Sequence, residues 1–242
     1  MLDVENLSVT YPDGTTALRD VSFQLKPGER CALIGGNGAG KTTLMMALVG
    51  LLQGQGTITA AEVPLTEKNL PRLRQRVGVV FQNPDDQLFL PTVYQNVAFG
   101  LENADLPATE IPERVDRVLD RLGILPLRDR QATRLSGGEK RMAALATVLV
   151  MEPKLLLLDE PTAFLDPKAR RRLIGVLQGL SETMLVATHD LTFALETCPR
   201  SLILRQGEIF ADGASDPLLY DQQTMDAGGV EAIGWIPERR SI

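Results

Sequence analysis

Hydrophobic residues fall in short, strand-like runs near both ends of this chain and at helical spacing through its middle. Leu2 to Thr10 and Ala17 to Leu25 read as two strands joined by the turn Tyr11-Pro12-Asp13-Gly14. Cys31 to Ile34 is a short apolar strand that enters a glycine-rich loop. Lys41 to Leu52 is then expected to be a helix, with Ala and Leu on its buried side. A further strand, Val77 to Phe81, ends at Gln82-Asn83-Pro84. From about Thr92 to Met151 strand signals almost vanish. Pro112 to Leu122 carries Val115, Val118, Leu119 and Leu122 at helical spacing among charges of both signs, so it is amphipathic, whereas Lys140 to Met151 is apolar on most faces and reads as a buried helix. After Pro153 strands and helices alternate again: strand Leu155 to Leu158, helix Pro167 to Leu180, strand Met184 to Ala187. A hairpin, Leu202 to Leu204 with Glu208 to Ala211, turns at Gln206-Gly207. The pattern is an α/β core interrupted by a helical insert.

Composition narrows the chemistry. The 242 residues, 44% hydrophobic and 23% charged, are enough for one well-cored domain. The longest nearly apolar stretch, Met142 to Met151, falls far short of the ~20 residues that cross a bilayer. The N-terminus lacks the basic-then-apolar layout of a secretory signal, so a membrane role is expected to come through a partner. A net charge of −6 gives no general attraction to nucleic acid. The two cysteines, Cys31 and Cys198, have no metal-ligand spacing and read as buried, reduced thiols; with a single histidine, the chain is poorly equipped to hold a transition metal.

Gly35-Gly36-Asn37-Gly38-Ala39-Gly40-Lys41-Thr42 fits G-x-x-x-x-G-K-[ST] between a strand and a helix, the context that this phosphate-binding loop requires. Glycines let the backbone curl so that several N–H groups face phosphate oxygens, and the following helix presents its positive end to the same anion. Lys41 supplies a full charge to the β- and γ-phosphates, the Thr42 hydroxyl is a Mg²⁺ ligand, and Thr43 completes the nucleotide-contacting run. Downstream, the apolar strand Leu155 to Leu158 ends in Asp159-Glu160. A buried strand delivers carboxylates rigidly to the sheet end where such folds bind ligands. Asp159 is the candidate to hold Mg²⁺ and Glu160 the candidate to orient or deprotonate a water. Taken alone, the acid pair reads equally well as an ordinary strand-end turn before Pro161.

Leu135-Ser136-Gly137-Gly138-Glu139, placed before the buried helix and the Asp159-Glu160 strand, closely resembles the signature sequence of the ABC ATPase family. The resemblance runs from Tyr11 to about Gly213 and implies a P-loop NTPase core with an N-terminal antiparallel β subdomain and an inserted α-helical subdomain. It places one domain at 1–225, with the nucleotide-binding core at 1–90 and 153–225, the helical subdomain at 91–152 and a tail at 226–242. It also implies ATP and Mg²⁺ as ligands and a head-to-tail dimer. In that dimer Ser136, Gly137, Gly138 and Glu139 of one subunit grip the γ-phosphate of ATP held by the other. Glu139 stands where the family most often has Gln, so a tuning effect is expected. By the same resemblance Tyr11 stacks on adenine, Gln82 senses Mg²⁺ and the attacking water, His189 contacts the γ-phosphate, and Asp166 links the dimer halves. Phe164 replaces a glycine common in that last loop.

Phe81-Gln82-Asn83-Pro84-Asp85-Asp86-Gln87-Leu88-Phe89, followed by Pro91-Thr92-Val93 and Asn96 to Gly100, resembles the energy-coupling-factor branch, importers of cobalt, nickel or vitamins in prokaryotes. Within it the cobalt/nickel ATPases are most similar, the short tail favouring them over vitamin-type relatives. The resemblance implies a peripheral protein on the cytoplasmic face of the prokaryotic inner membrane. Its partners would be a second ABC ATPase (the same chain or another), an integral membrane coupling subunit and a substrate-binding membrane subunit, with no nucleic acid. A soluble ABC-type ATPase acting on DNA or ribosomes is one rival reading, and an ABC importer or exporter with unrelated cargo is a second. The remaining features are expected to be structural: Met45 and Met46 in the core, Lys168, Arg170, Arg171 and Arg172 on a solvated helix face, and Trp235 as an anchor for the tail.

Overall fold

The computed structural model describes residues 1–104 and 106–234; Trp235, the expected tail anchor, lies outside them. Strands β1 (Leu2–Thr10) and β2 (Thr16–Leu25) pair antiparallel, with Leu2 opposite Leu25 and Thr10 opposite Thr16. Strand β3 (Arg30–Ile34) runs through the glycine loop into α1 (Lys41–Leu48). Next come β4 (Gln55–Ala60), the two-residue β5 (Val63–Pro64), α2 (Leu70–Arg76) and β6 (Val77–Val80). A block of three helices follows: α3 (Val93–Glu102), α4 (Ile111–Arg121) and α5 (Gly137–Leu149). The chain then alternates through β7 (Leu155–Asp159), α6 (Pro167–Gln178), β8 (Thr183–Ala187), α7 (Leu191–Thr197) and β9 (Arg200–Arg205). It closes with β10 (Glu208–Ala214), α8 (Ser215–Tyr220) and α9 (Gln222–Ala227).

Two sheets result. The first is antiparallel, in the order β2-β1-β4-β5; the second runs β10-β9-β3-β8-β7-β6, parallel except for the hairpin edge β10. The central strands of the second sheet are buried on both faces, which is why they read as unbroken apolar runs. Their side chains divide by the two-residue period of a strand. Ile34, Leu156, Leu158 and Val186 join one core with the helical block, whereas Leu33, Leu155, Leu157 and Leu185 join another with α1 and the antiparallel sheet. The helical block thus attaches to one face of the sheet that carries the loop and the acid pair.

Four expectations need correction. The first helix stops at Leu48, not Leu52, because Gly50 turns the chain at φ +69°; a Cβ there would meet Leu70 Cδ2 at 2.4 Å, so the backbone passes directly under α2. Met46 is half exposed although Met45 is buried. Strands β4 and β5 and helices α2 and α7 were not expected: β4 buries only Ile58 and Ala60, and α2 only Leu73, too few apolar positions to show a period. The basic run on α6 is not simply solvated. Arg170 is bidentate on Asp190 (2.9 and 3.3 Å) and reaches Glu196 (3.1 Å), while Arg172 donates to the carbonyls of Leu122 and Gly123.

Candidate active site

The glycine loop wraps the start of α1. Gly38 and Gly40 have φ of +77° and +108°, values that favour glycine. A Cβ at Gly40 would lie 2.9 Å from the Ala17 carbonyl, whereas at Gly38 it would meet nothing within 4 Å, so the loop is pressed against β2 on one side and open on the other. Backbone bonds fix it: Gly207 N–H donates to the Ala39 carbonyl (3.0 Å), and Arg19 N–H to the Gly207 carbonyl (2.8 Å). Lys41 Nζ donates to the carbonyls of Gly35 (2.6 Å) and Gly36 (3.2 Å), which places its charge across the loop mouth. The hydroxyls of Tyr11 and Thr43 are 2.9 Å apart, tying the turn after β1 to α1.

Around this loop lies a cleft of about 600 Å³. Tyr11, Gly36, Asn37, Gly38, Ala39, Gly40, Lys41, Thr42, Thr43, Gln82, Asp159, Glu160 and His189 all line it, so the sequence candidates from five separate segments converge on one cavity. Gly35 sits behind the loop, where a Cβ would meet the Leu204 carbonyl at 2.4 Å, and contributes through the carbonyl that holds Lys41. Thr15, Thr16, Ala17, Arg19 and Gln206 also line the cleft and carry no motif. The pairing of the hairpin turn with β2 brings them there.

At the end of β7, Asp159 pairs in register with Ala187 of β8. Burial pushes its carboxyl above the usual range and neighbouring Glu160 adds to the shift, while Lys41 and Arg141 oppose it. A desolvated carboxylate at the loop mouth is one that gains by holding a cation. Glu160 is 8% exposed and stands at φ +43°, a left-handed conformation fixed by its N–H bond to the Ala187 carbonyl (2.8 Å). Its Oε2 accepts from the Thr188 hydroxyl (3.2 Å) and the His189 amide (3.2 Å), and His189 Nδ1 lies 2.9 Å from it. The His189 side chain is otherwise 73% exposed and lines the cleft.

Gln82 follows β6, where Arg141 from α5 takes hold. Arg141 is 2% exposed and donates to the carbonyls of Phe81 (2.6 Å) and Gln82 (2.5 Å). Burial lowers its pKa and Asp159 counteracts this. Arg141 was not singled out as a site residue; its position inside an apolar helix was the available signal.

Ser136, Gly137, Gly138, Glu139 and Asp166 lie elsewhere: none of them lines the cleft. Ser136 caps α5, and the first two residues of that helix pack against the α6 region. A Cβ on Gly138 would come within 2.7 Å of Ala169 Cβ, and one on Gly137 within 3.9 Å of the Phe164 carbonyl. Asp166 Oδ1 caps α6 by accepting from the amides of Lys168 (2.8 Å) and Ala169 (3.0 Å), bonds that keep its pKa below the usual range.

The fold and cleft define a nucleotide-dependent ATPase of the P-loop class with a helical insert. The family model for ABC transporters matches residues 18–163. An ABC transporter ATP-binding protein of Streptomyces avermitilis is 51% identical over 231 residues, covering 95% of this chain and 88% of the relative. The energy-coupling factor transporter ATP-binding protein EcfA of Methanothermobacter thermautotrophicus is 42% identical, covering 92% of this chain and 74% of the relative. Among solved structures, cbiO1 from Clostridium perfringens, described as part of the ABC transporter complex cbiONQ, aligns with a TM-score of 0.84 at 39% identity, covering 93% of each chain. The chain belongs to the ABC transporter family and is an ATP-hydrolysing subunit of that family.

Proposed function

We propose that this chain powers an energy-coupling-factor importer for cobalt or nickel, hydrolysing ATP at two sites shared between two ATPase protomers. One observation carries the shared-site reading. The cradle residues line the cleft, whereas Ser136, Gly137 and Gly138, which form a second anion-binding helix start, lie outside it. A second protomer, identical or different, supplies its own Ser136 turn as the lid. Family members assemble as dimers, which supports this arrangement.

In this reading the loop amides and Lys41 hold the β- and γ-phosphates, with Tyr11 against the adenine. Thr42 and Asp159, with Gln82 beside them, would hold Mg²⁺, which supplies positive charge next to the phosphates when bound. Glu160 orients the attacking water and accepts its proton; the Thr188 hydroxyl and the His189 amide, both donating to Oε2, fix its position. His189, held by Glu160 through Nδ1, presents the rest of its ring to the γ-phosphate. Asp166 joins the two halves. When the phosphate between them is cut the halves part, and the helical block carries the motion to a membrane partner.

No helix among the described residues is long and apolar enough to cross a membrane. An integral coupling subunit and a substrate-binding membrane subunit complete the transporter, and the protein sits on the cytoplasmic face of the inner membrane. Docking of the coupling subunit on the segment that follows Gln82 is supported by Phe89 and Phe99, exposed 62% and 41% and stacked edge to face at 5.1 Å. The relatives named for EcfA and for the cbiONQ complex support the importer type. With a net charge of −6, nucleic acid is not a partner of this reading.

Complementation tests the shared site. Lys41→Ala and Ser136→Ala should each be nearly inactive. Mixed, they form heterodimers with one intact composite site, and activity should return to on the order of a quarter of the parent's. No return on mixing would exclude a head-to-tail pair of identical chains. Affinity purification of the chain from its native membrane, with identification of the co-purifying integral subunits and metal uptake in their presence, tests the cargo.

A further inference from the structure

Phe164 is 90% exposed, more than any other large hydrophobic side chain among the described residues. Its φ of +61° is a conformation that glycine adopts freely and phenylalanine rarely does. The turn that holds it is fixed from both sides. Ala163 N–H donates to the Glu160 carbonyl (3.0 Å) and Leu165 N–H to the Thr162 carbonyl (3.2 Å). Leu165 packs on the helical core and Asp166 caps α6, so the side chain between them stands outward. A large aromatic that leaves its own fold, on a strained backbone where glycine would be easier, calls for a surface to cover it.

We infer that Phe164 is an aromatic anchor for a second ATPase protomer, seated in the facing subunit beside the nucleotide that subunit holds. This rests on the head-to-tail reading above. The occupant follows from what Phe164 adjoins. Its carbonyl borders Gly137, the first residue of the lid helix, and its chain neighbours lead to Glu160 on one side and Asp166 on the other. In the head-to-tail reading, a protomer that meets the Ser136 turn therefore approaches the Phe164 turn as well. The exposed pair Phe89 and Phe99 belongs to a different segment of the chain. Two-fold symmetry places two such anchors in each closed dimer. Aromatic side chains at protein interfaces characteristically carry a large share of the binding energy.

The test uses the full chain carrying Glu160→Gln, so that ATP is retained, with ATP-driven dimerisation followed by analytical ultracentrifugation. Adding Phe164→Gly should weaken the closed dimer by about 30-fold or more. Binding of a fluorescent ATP analogue to dilute monomer should stay unchanged, and monomer melting temperature should hold or rise as the left-handed strain is relieved. Phe164→Tyr should dimerise like the parent. An equally tight dimer with Phe164→Gly would overturn the anchor while leaving the head-to-tail reading in place. Loss of the membrane subunits with an unaltered dimer would overturn it too. If the Phe164 parent forms no dimer with ATP, head-to-tail pairing of two identical chains fails and the anchor falls with it.

Discussion

The Glu139 carboxylate accepts from both the amide and the hydroxyl of Ser136, each at 2.8 Å, while the Ser136 hydroxyl accepts in turn from the Glu139 amide at 3.4 Å. This is a closed capping box at the start of α5, braced by Arg130 at 3.3 Å. In the shared-site reading it has a functional cost. The hydroxyl proton that the lid would donate to a phosphate is already given to a carboxylate, and that carboxylate repels the phosphate. Glu139→Gln keeps the box geometry and removes the charge, so ATP-driven dimerisation should tighten by roughly fivefold, about 1 kcal/mol. Glu139→Ala should instead lose about 1 kcal/mol of folding stability with the cap. Ultracentrifugation and urea melts of the two variants separate these effects.

The same box makes stability depend on acid. The Ser136 amide, then its hydroxyl, hold the Glu139 carboxyl below its ordinary value of 4.5. A group whose pKa is depressed on folding stabilises fully above its unfolded value, and the contribution is lost as pH falls through the folded one. The stability difference between wild type and Glu139→Gln should therefore be present near pH 7 and shrink below about pH 4.5, by up to on the order of 1 kcal/mol. Paired urea melts across that range check it; a difference that grows in acid would contradict the assignment.

Most of the cleft was readable from sequence because its chemistry lies in consecutive residues. The loop from Gly35 to Thr42 and the pair Asp159-Glu160 carry their own spacing, and the apolar runs before them mark buried strands. What was not readable depends on pairing across the fold. Arg19 and Gln206 reach the cleft only because the Gln206-Gly207 turn bonds to Arg19 and Ala39. The partners of Arg170 are the N-cap Asp190 and Glu196 of α7, a helix whose seven residues show too little periodicity to be expected. The turn that ends α1 at Gly50 is packed against Leu70, twenty residues further along the chain.

Gly138 and Ala169 should be coupled through volume alone. An Ala at 138 places its Cβ 2.7 Å from Ala169 Cβ, which forces α5 and α6 apart at the lid. Gly138→Ala should cost roughly 1–3 kcal/mol of stability and impair dimer formation, while ATP binding to the monomer persists because Gly138 is not part of the cleft. Adding Ala169→Gly should recover most of both losses, minus about 1 kcal/mol for a glycine inside α6. A double variant no better than the single one would show that the helices do not meet as described.

Glu160→Gln should retain ATP while hydrolysis falls at least ~100-fold, because the neutral amide cannot take the proton of the attacking water. The amide still accepts through one oxygen, so the Thr188 and His189 contacts survive in part and the fold should be little altered. Single-turnover hydrolysis measured beside nucleotide affinity is the appropriate pair of readouts. Near-normal turnover in this variant would remove Glu160 from the proton-accepting role.

Arg141 offers the sharpest separation of binding from turnover. Its two donors hold the carbonyls of Phe81 and Gln82 to the helix that begins at the lid, and Lys, with one ammonium, cannot span both. Arg141→Lys should therefore loosen Gln82 without emptying the loop. ATP affinity, set by Lys41 and the glycine amides, should change by less than about threefold, and kcat should fall by about tenfold or more. Arg141→Met removes the buried charge as well, and the two carbonyls left without donors should lower stability by roughly 2–4 kcal/mol. Steady-state kinetics over a Mg²⁺ titration gives the decisive comparison. If affinity and kcat decline together in Arg141→Lys, the side chain serves only to hold the fold; a selective loss of kcat assigns it to the placement of Gln82.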